Sequence, residues 1–430
     1  MKKFLSFAAV VSAIVILATS ATYSSYRDAI KADRYNAAGN YHTYPVPKYS
    51  DTKAPKGYTP FYVSHYGRHG SRYLIGSTRY VHSTEMMDKL HDAGLLTNEG
   101  EALRRDLLEM KEAHKGQDGI LTQVGSLEHQ GISSRLYKRA KPVFKQKNRK
   151  DVLVVSTPVH RVLQSSFNFV NTLKANEPDL NVKLYSGDKY RDYLARGASG
   201  PYVDSLGKVA NEILTDMRQE LLSGNRIGRT IFKDTKKVEQ MLDEPLSRFM
   251  YTLLEESSIA KCLDINVDPL KHFSEEEVIA FGQIYNSQVM YAFHNTRETG
   301  NFRDTATGAY ILRDFIVKAD EALGKKSTKC ADLRFGHDSG VGPLLGIIGV
   351  EGYDTAPALR DAYKEWPAYE YIPMGSNFQM IFYKNRDGDV LVKMLRNEKE
   401  TVIPALPAYK GPYYKWDELR DYLADRCGLD

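Results

Sequence analysis

Along most of the chain, short solid apolar blocks alternate with longer amphipathic stretches, and the two rhythms predict different elements. Tyr58 to His65 (YTPFYVSH) is rich in aromatic and β-branched residues and reads as a buried strand. It runs into Gly67-Arg68-His69-Gly70-Ser71-Arg72, which must be a loop. Residues 98–115 have helical periodicity with Asn98 as a candidate cap. Residues 122–144 predict another helix, because Val124, Leu127, Ile132, Leu136, Ala140 and Val143 recur at helical spacing. Asp151 to Ser156 (DVLVVS) is a second strand, followed by Thr157-Pro158-Val159-His160-Arg161 and a helix through about Leu173. Asn181 to Ser186 is a third candidate strand.

From about 188 to 325 the pattern is helical and charged, without strand signals. The β rhythm returns at Ala331 to Phe335, then Gly336-His337-Asp338-Ser339-Gly340, then an apolar helix from Pro343 to Ile348. Asn377 to Tyr383 and Val390 to Leu395 predict a hairpin around Asp387-Gly388. Strands alternating with helices imply an α/β fold: a mostly parallel central sheet flanked by helices, with an inserted smaller all-α domain. The corresponding division is a core of 58–187 and 326–430, an insert or cap of 188–325, and an extended polar lead-in over 22–57.

The first 21 residues stand apart. Met1-Lys2-Lys3, an apolar run from Phe4 to Ala18 and the small residues Ala18-Thr19-Ser20-Ala21 describe a secretory signal peptide. The run is short for a membrane span, which needs about 20 apolar residues. The expectation is an exported protein, periplasmic or secreted, with no stable membrane insertion after cleavage. Loss of Lys2 and Lys3 lowers the formal charge from +5 to +3, too mild for nucleic acid and compatible with a local basic pocket for a small anion. Cys262, Cys330 and Cys427 allow one disulfide in an oxidising compartment, with three choices of pair. Their spacing is unlike a zinc site.

Three segments share one design: an apolar strand ends and polar groups follow. These groups are Arg68, His69 and Arg72, then Arg161, then His337 and Asp338. In open α/β sheets, ligands sit outside the carboxyl ends of the strands, so the three tips can converge on one pocket. Guanidiniums gathered there repel one another unless an anion neutralises them, and their planar forks match phosphoryl oxygens. A His kept neutral by cationic neighbours offers a ring nitrogen as a nucleophile. A second His can hydrogen-bond the same oxygens, and an adjacent carboxylic acid can protonate a departing alcohol. His65 and His160, which flank these residues, read as packed or hydrogen-bonded side chains rather than metal ligands.

On these residues the chain resembles the histidine acid phosphatases, the larger branch of the histidine phosphatase superfamily. Arg68-His69-Gly70-Ser71-Arg72 matches the RHGxR signature, although the family's Pro two residues later is replaced by Leu74. The resemblance implies a histidine-phosphatase-like fold, His69 as nucleophile, and Arg68, Arg72, Arg161 and His337 as phosphate ligands. It also implies Asp338 as proton donor and no cofactor or metal. Leu121 to Arg139 resembles the LTxxG…R helix, and Gly375-Ser376-Asn377 a late strand of the family.

Within the family the likeness leans to phytases and multiple inositol-polyphosphate phosphatases. The latter commonly carry His-Ala-Glu where this chain has His337-Asp338-Ser339, whereas an Asp donor resembles phytases and glucose-1-phosphatase. The expected partner is a small anionic phosphate ester, with inositol polyphosphates such as phytate first and sugar phosphates or broad specificity as the alternative. A non-catalytic phosphate-ester-binding protein and a mutase-like transferase are the rival readings. Arg79, Lys189 and Arg191 are candidates for extra positive charge around a polyanionic substrate.

Overall fold

The computed structural model describes residues 25–48, 50–76, 78–223 and 227–429. The expected signal peptide lies outside the described residues. An eight-stranded sheet forms the centre, in the order β3-β2-β4-β1-β5-β6-β7, with β8 pairing β6. Its strands are β1 (Thr59–Arg68), β2 (Asp151–Ser156), β3 (Asn181–Ser186), β4 (Lys329–Gly336), β5 (Asn377–Lys384), β6 (Val390–Arg396), β7 (Lys399–Thr401) and β8 (Tyr413–Lys415). β3, β2, β4 and β1 run parallel, while β5 to β8 extend the sheet in antiparallel fashion.

Alternation along β1 explains how the sheet is covered. Successive side chains point to opposite faces. Tyr62 and Tyr66 enter one buried apolar cluster and Val63 enters the other. The second cluster is built with helices Gln123–Arg139 and His160–Asn176, through Ile132, Leu136, Val162 and Phe169. The first runs from the sheet into the helices between β3 and β4, Ala309–Leu323 among them, and into Asp338–Ile348 after β4. A sheet buried on both faces favours apolar residues at consecutive positions, as in the VLVV of DVLVVS, whereas in ADLRF the buried Asp332 and Arg334 are satisfied by the Tyr62 hydroxyl and by Asp314.

Several elements differ from the sequence expectation. The lead-in is not extended throughout: Tyr26–Ala32 is an α-helix and Arg34–Tyr41 a 3-10 helix, packed against Glu275–Phe293. Asp33 supplies the cap between them, its carboxylate accepting from the Tyr35 N–H. The helix expected over 122–144 breaks at Ala140, because Pro142 starts a separate turn, Lys141–Phe144. Thr97 rather than Asn98 caps helix Asn98–His114. The helix expected from Pro343 begins earlier, at Asp338. Helix Thr78–Asp92 had no counterpart in the sequence reading.

Cys262, Cys330 and Cys427 are buried free thiols, so none of the three possible disulfides is formed. Among the described residues no helix is long and apolar enough to cross a membrane.

Candidate active site

The three strand tips meet because β2, β4 and β1 are parallel neighbours in register. Arg68 lies opposite Gly336, and Ser156 opposite Phe335. Neighbouring strands are about 4.8 Å apart, so the residues following all three ends share one crevice. Arg68 and His69 leave β1, Thr157 leaves β2, and His337 and Asp338 leave β4. Arg161 joins them from the first turn of helix His160–Asn176.

Arg68 is fully buried and cannot swing. Its Nη1 donates to the carbonyls of Asn40 and Ile372 at 2.7 and 2.9 Å, and its Nη2 lies 2.9 Å from Asp338 Oδ2. Arg72 stacks over Tyr41, with 5.4 Å from Cζ to the ring centre. The loop between the two arginines is held by Glu128, which accepts from the Ser71 N–H and hydroxyl, each at 2.7 Å, and from the Tyr44 N–H. Ser165 accepts the Gly70 N–H at 3.1 Å. Gly70 and Gly125 are required by close approach. A Cβ on Gly125 would sit 2.2 Å from the Ser71 carbonyl oxygen, and one on Gly70 would sit 2.6 Å from the Gly125 oxygen.

The two histidines are 5.6 Å apart between ring centres. His69 Nδ1 lies 2.9 Å from the Gly70 carbonyl oxygen. A carbonyl only accepts, so Nδ1 carries the proton and Nε2 keeps a lone pair when the ring is neutral. Burial holds the ring well below the usual histidine range, helped by the charges of Arg161, Arg68 and Arg72. His337, whose Nε2 is 3.2 Å from the Thr157 hydroxyl, is pushed down to about 4 by burial and Arg161. Burial also lowers Arg161 to about 10, with Arg72 adding repulsion. For Asp338 burial acts upward, but Arg68, His337 and Arg72 together outweigh it and hold the carboxyl below the usual range.

The Nε groups of Arg68, Arg72 and Arg161 are buried without an acceptor among the described residues. The three guanidiniums are close enough for their charges to add to burial in lowering Arg161 and His69, and an anion between them would relieve that repulsion. A neutral imidazole lone pair, a guanidinium cluster and a carboxyl together suit nucleophilic phosphoryl transfer.

The weaker candidates are dispersed. Arg191 is exposed but near enough for its charge to depress His337. Lys189 lies over the Tyr190 ring at 4.8 Å, and Arg79 pairs with Glu255 at 3.0 Å. His65 is buried between Phe169 and Phe335, as expected of a packed ring, and His160 is exposed.

Sequence reasoning missed Asn40, Tyr66, Glu128 and Thr157. Thr157 had a usable signal, since it directly follows a strand. Tyr66 had none, because its role is long-range: its hydroxyl accepts the His337 N–H at 3.2 Å and donates to the Leu194 carbonyl at 2.7 Å. Cβ atoms on Gly336 and Gly340 would come within 2.1 and 1.9 Å of that hydroxyl, which accounts for both glycines. Asn40 lay in a segment read as extended and carried no signal.

This architecture and site define a phosphomonoester hydrolase. The chain belongs to the histidine phosphatase superfamily (branch 2), whose family model matches residues 67–397. Among solved structures it is similar to the Bifidobacterium longum multiple inositol polyphosphate phosphatase in complex with inositol hexasulfate. That match has a TM-score of 0.71 and 18% identity, covering 91% of this chain and 98% of the other. The phytase from D. castellii follows at a TM-score of 0.66 and 15% identity, covering 93% and 89%. Hafnia alvei phytase in complex with myo-inositol hexakis sulphate has a TM-score of 0.54 and 13% identity, covering 87% and 99%. At such identities the likeness establishes the fold. No curated protein matches the chain in sequence.

Proposed function

We propose that the protein is an exported acid phosphatase that hydrolyses inositol polyphosphates such as phytate through a phosphohistidine on His69. The observation that carries the mechanism is the tautomer. Nδ1 is tied to the Gly70 carbonyl, which leaves Nε2 as the free lone pair of a ring kept neutral among arginines. In the first step Nε2 attacks phosphorus, the bond from phosphorus to the ester oxygen breaks, and the Asp338 carboxyl gives its proton to that oxygen. In the second step water attacks the phosphohistidine, the P–N bond breaks, and Asp338 takes the proton back. Arg68, Arg72, Arg161 and His337 hold the remaining phosphoryl oxygens and the charge that develops on them.

Against the protein's own charges Asp338 favours the carboxylate. A bound phosphate ester cancels the arginine charge and places negative charge beside Asp338, so the acid form returns, which favours an acidic optimum.

The substrate reading draws support from the inositol-ligand complexes of the similar structures and from Arg191 near His337. Residues 188–325 act as a cap that shapes specificity, with Arg79, Lys189 and Arg191 as charges for the outer phosphates.

The test is phosphate release by the chain lacking residues 1–21, at mildly acidic and neutral pH with EDTA. Phytate, glucose 1-phosphate and nitrophenyl phosphate are offered side by side, with His69→Ala as control. Fast release from phytate that His69→Ala abolishes is the expected result. Release confined to the small esters refutes the substrate, and substantial turnover by His69→Ala refutes the nucleophile. Binding without release by the wild type favours a non-catalytic protein. N-terminal sequencing of the exported form checks removal of the leader.

A further inference from the structure

Asn40 is the penultimate residue of the 3-10 helix Arg34–Tyr41 and is only 5% exposed. The preceding Gly39 takes a φ of 52°, and a Cβ there would lie 3.0 Å from Cδ1 of Tyr285. The turn that delivers Asn40 therefore needs glycine for its backbone angle and for the ring beside it. Asn40 uses every polar atom of its side chain. Its Nδ2 lies 3.0 Å from Asp338 Oδ2, and its Oδ1 lies 2.8 Å from the Tyr285 hydroxyl. Its backbone carbonyl separately accepts from Arg68 Nη1 at 2.7 Å.

The amide can face only one way. A carboxylate accepts and does not donate, so the NH2 end must face Asp338, leaving the carbonyl end to accept the Tyr285 O–H. Burial holds that hydroxyl well above the usual tyrosine range, so it remains a donor. We propose that Asn40, locked by Tyr285, is the positioning residue that aims the Asp338 carboxyl at the leaving oxygen. This rests on the reading of Asp338 as proton donor. Oδ2 accepts from Asn40 Nδ2 and is ion-paired with Arg68 Nη2 at 2.9 Å, whereas among the described residues Oδ1 accepts only the Ser339 N–H at 3.0 Å. The transferable proton therefore belongs on Oδ1. In the step, the Oδ1–H bond breaks, the proton passes to the ester oxygen, and the electrons of the breaking P–O bond stay on that oxygen.

Asn40→Ala removes the amide and keeps the backbone carbonyl that clamps Arg68, so competitive inhibition by inorganic phosphate stays at its wild-type value. Loss of one hydrogen bond to a charged group corresponds to a fall of about 10- to 100-fold in kcat. That fall is expected on an alkyl phosphate, whose leaving group needs the proton, against less than about 3-fold on nitrophenyl phosphate. Tyr285→Phe gives a smaller loss with the same substrate bias and adds nothing in the Asn40→Ala background, because it acts through Asn40.

Asp338→Asn is assayed alongside. If Asp338→Asn lowers both esters equally, the proton-donor reading fails and this inference fails with it. If Asp338→Asn discriminates but Asn40→Ala lowers both esters equally or weakens phosphate inhibition, the positioning role alone is overturned. Full additivity of the two substitutions refutes the link through Tyr285.

Discussion

Asp304→Asn probes a buried carboxyl behind the site. Asp304 opens a short π-helix, Asp304–Gly308, that leads into helix Ala309–Leu323 and packs on helix Asp338–Ile348. It is 2% exposed, and a Cβ on Gly346 would sit 2.4 Å from its Oδ1. Asn295 donates to Oδ2, and Oδ1 has no hydrogen-bond partner among the described residues. Arg426 and Arg303 supply positive charge nearby, yet burial wins and pushes the carboxyl from 3.8 up to about 7. The sign follows. Below pH 3.8 both folded and unfolded chains hold the proton, and the site is neutral toward stability. Between 3.8 and about 7 the unfolded chain releases it first, so stability falls across that window and then levels off. At about 1.4 kcal/mol per pH step the whole fall is about 4 kcal/mol, of which about 2.5 kcal/mol lies between pH 5 and 8. For a chain of this size about 1 kcal/mol moves Tm by about 1 °C. Asparagine cannot ionise, so thermal unfolding of Asp304→Asn should lose about 3 °C less than wild type between pH 5 and 8. Buried Glu256, pushed up to about 8, adds its own slope to both proteins and cancels in the difference. Parallel curves of Tm against pH for the two proteins would refute the argument.

Two further outcomes test the site. Arg161→Ala removes a charge-assisted donor and should lower kcat/KM about 10- to 100-fold and weaken phosphate inhibition; unchanged inhibition would remove Arg161 from the phosphate site. Gly125→Ala forces a methyl group to within 2.2 Å of the Ser71 oxygen and must displace the loop between Arg68 and Arg72. Its overpacking cost is about 1–3 kcal/mol, and activity should fall more than 10-fold while circular dichroism stays unchanged. Wild-type activity would contradict the close docking.

The local chain determines the parts whose cause is local. YTPFYVSH and DVLVVS carry the consecutive aromatic and β-branched residues that suit a sheet covered on both faces, ADLRF alternates apolar with charged positions, and polar residues follow the end of each strand. That order made Arg68, His69, Arg72, Arg161, His337 and Asp338 legible as one site before any fold was known. Where the reading failed, the cause was distant. The helices at Tyr26–Ala32 and Arg34–Tyr41 form on a polar segment because Glu275–Phe293 packs against them, and no periodicity within the segment announces that partner. Asn40 reaches Asp338 across nearly three hundred residues of chain. Only the register of β2, β4 and β1 decides that three strand ends share a crevice, and burial, added to the arginine charges gathered there, decides that His69 is neutral. Residue types and their order set which chemistry the chain can perform. Long-range pairing and desolvation, which exist only once the sheet has closed, set the distances and protonation states in which it is performed.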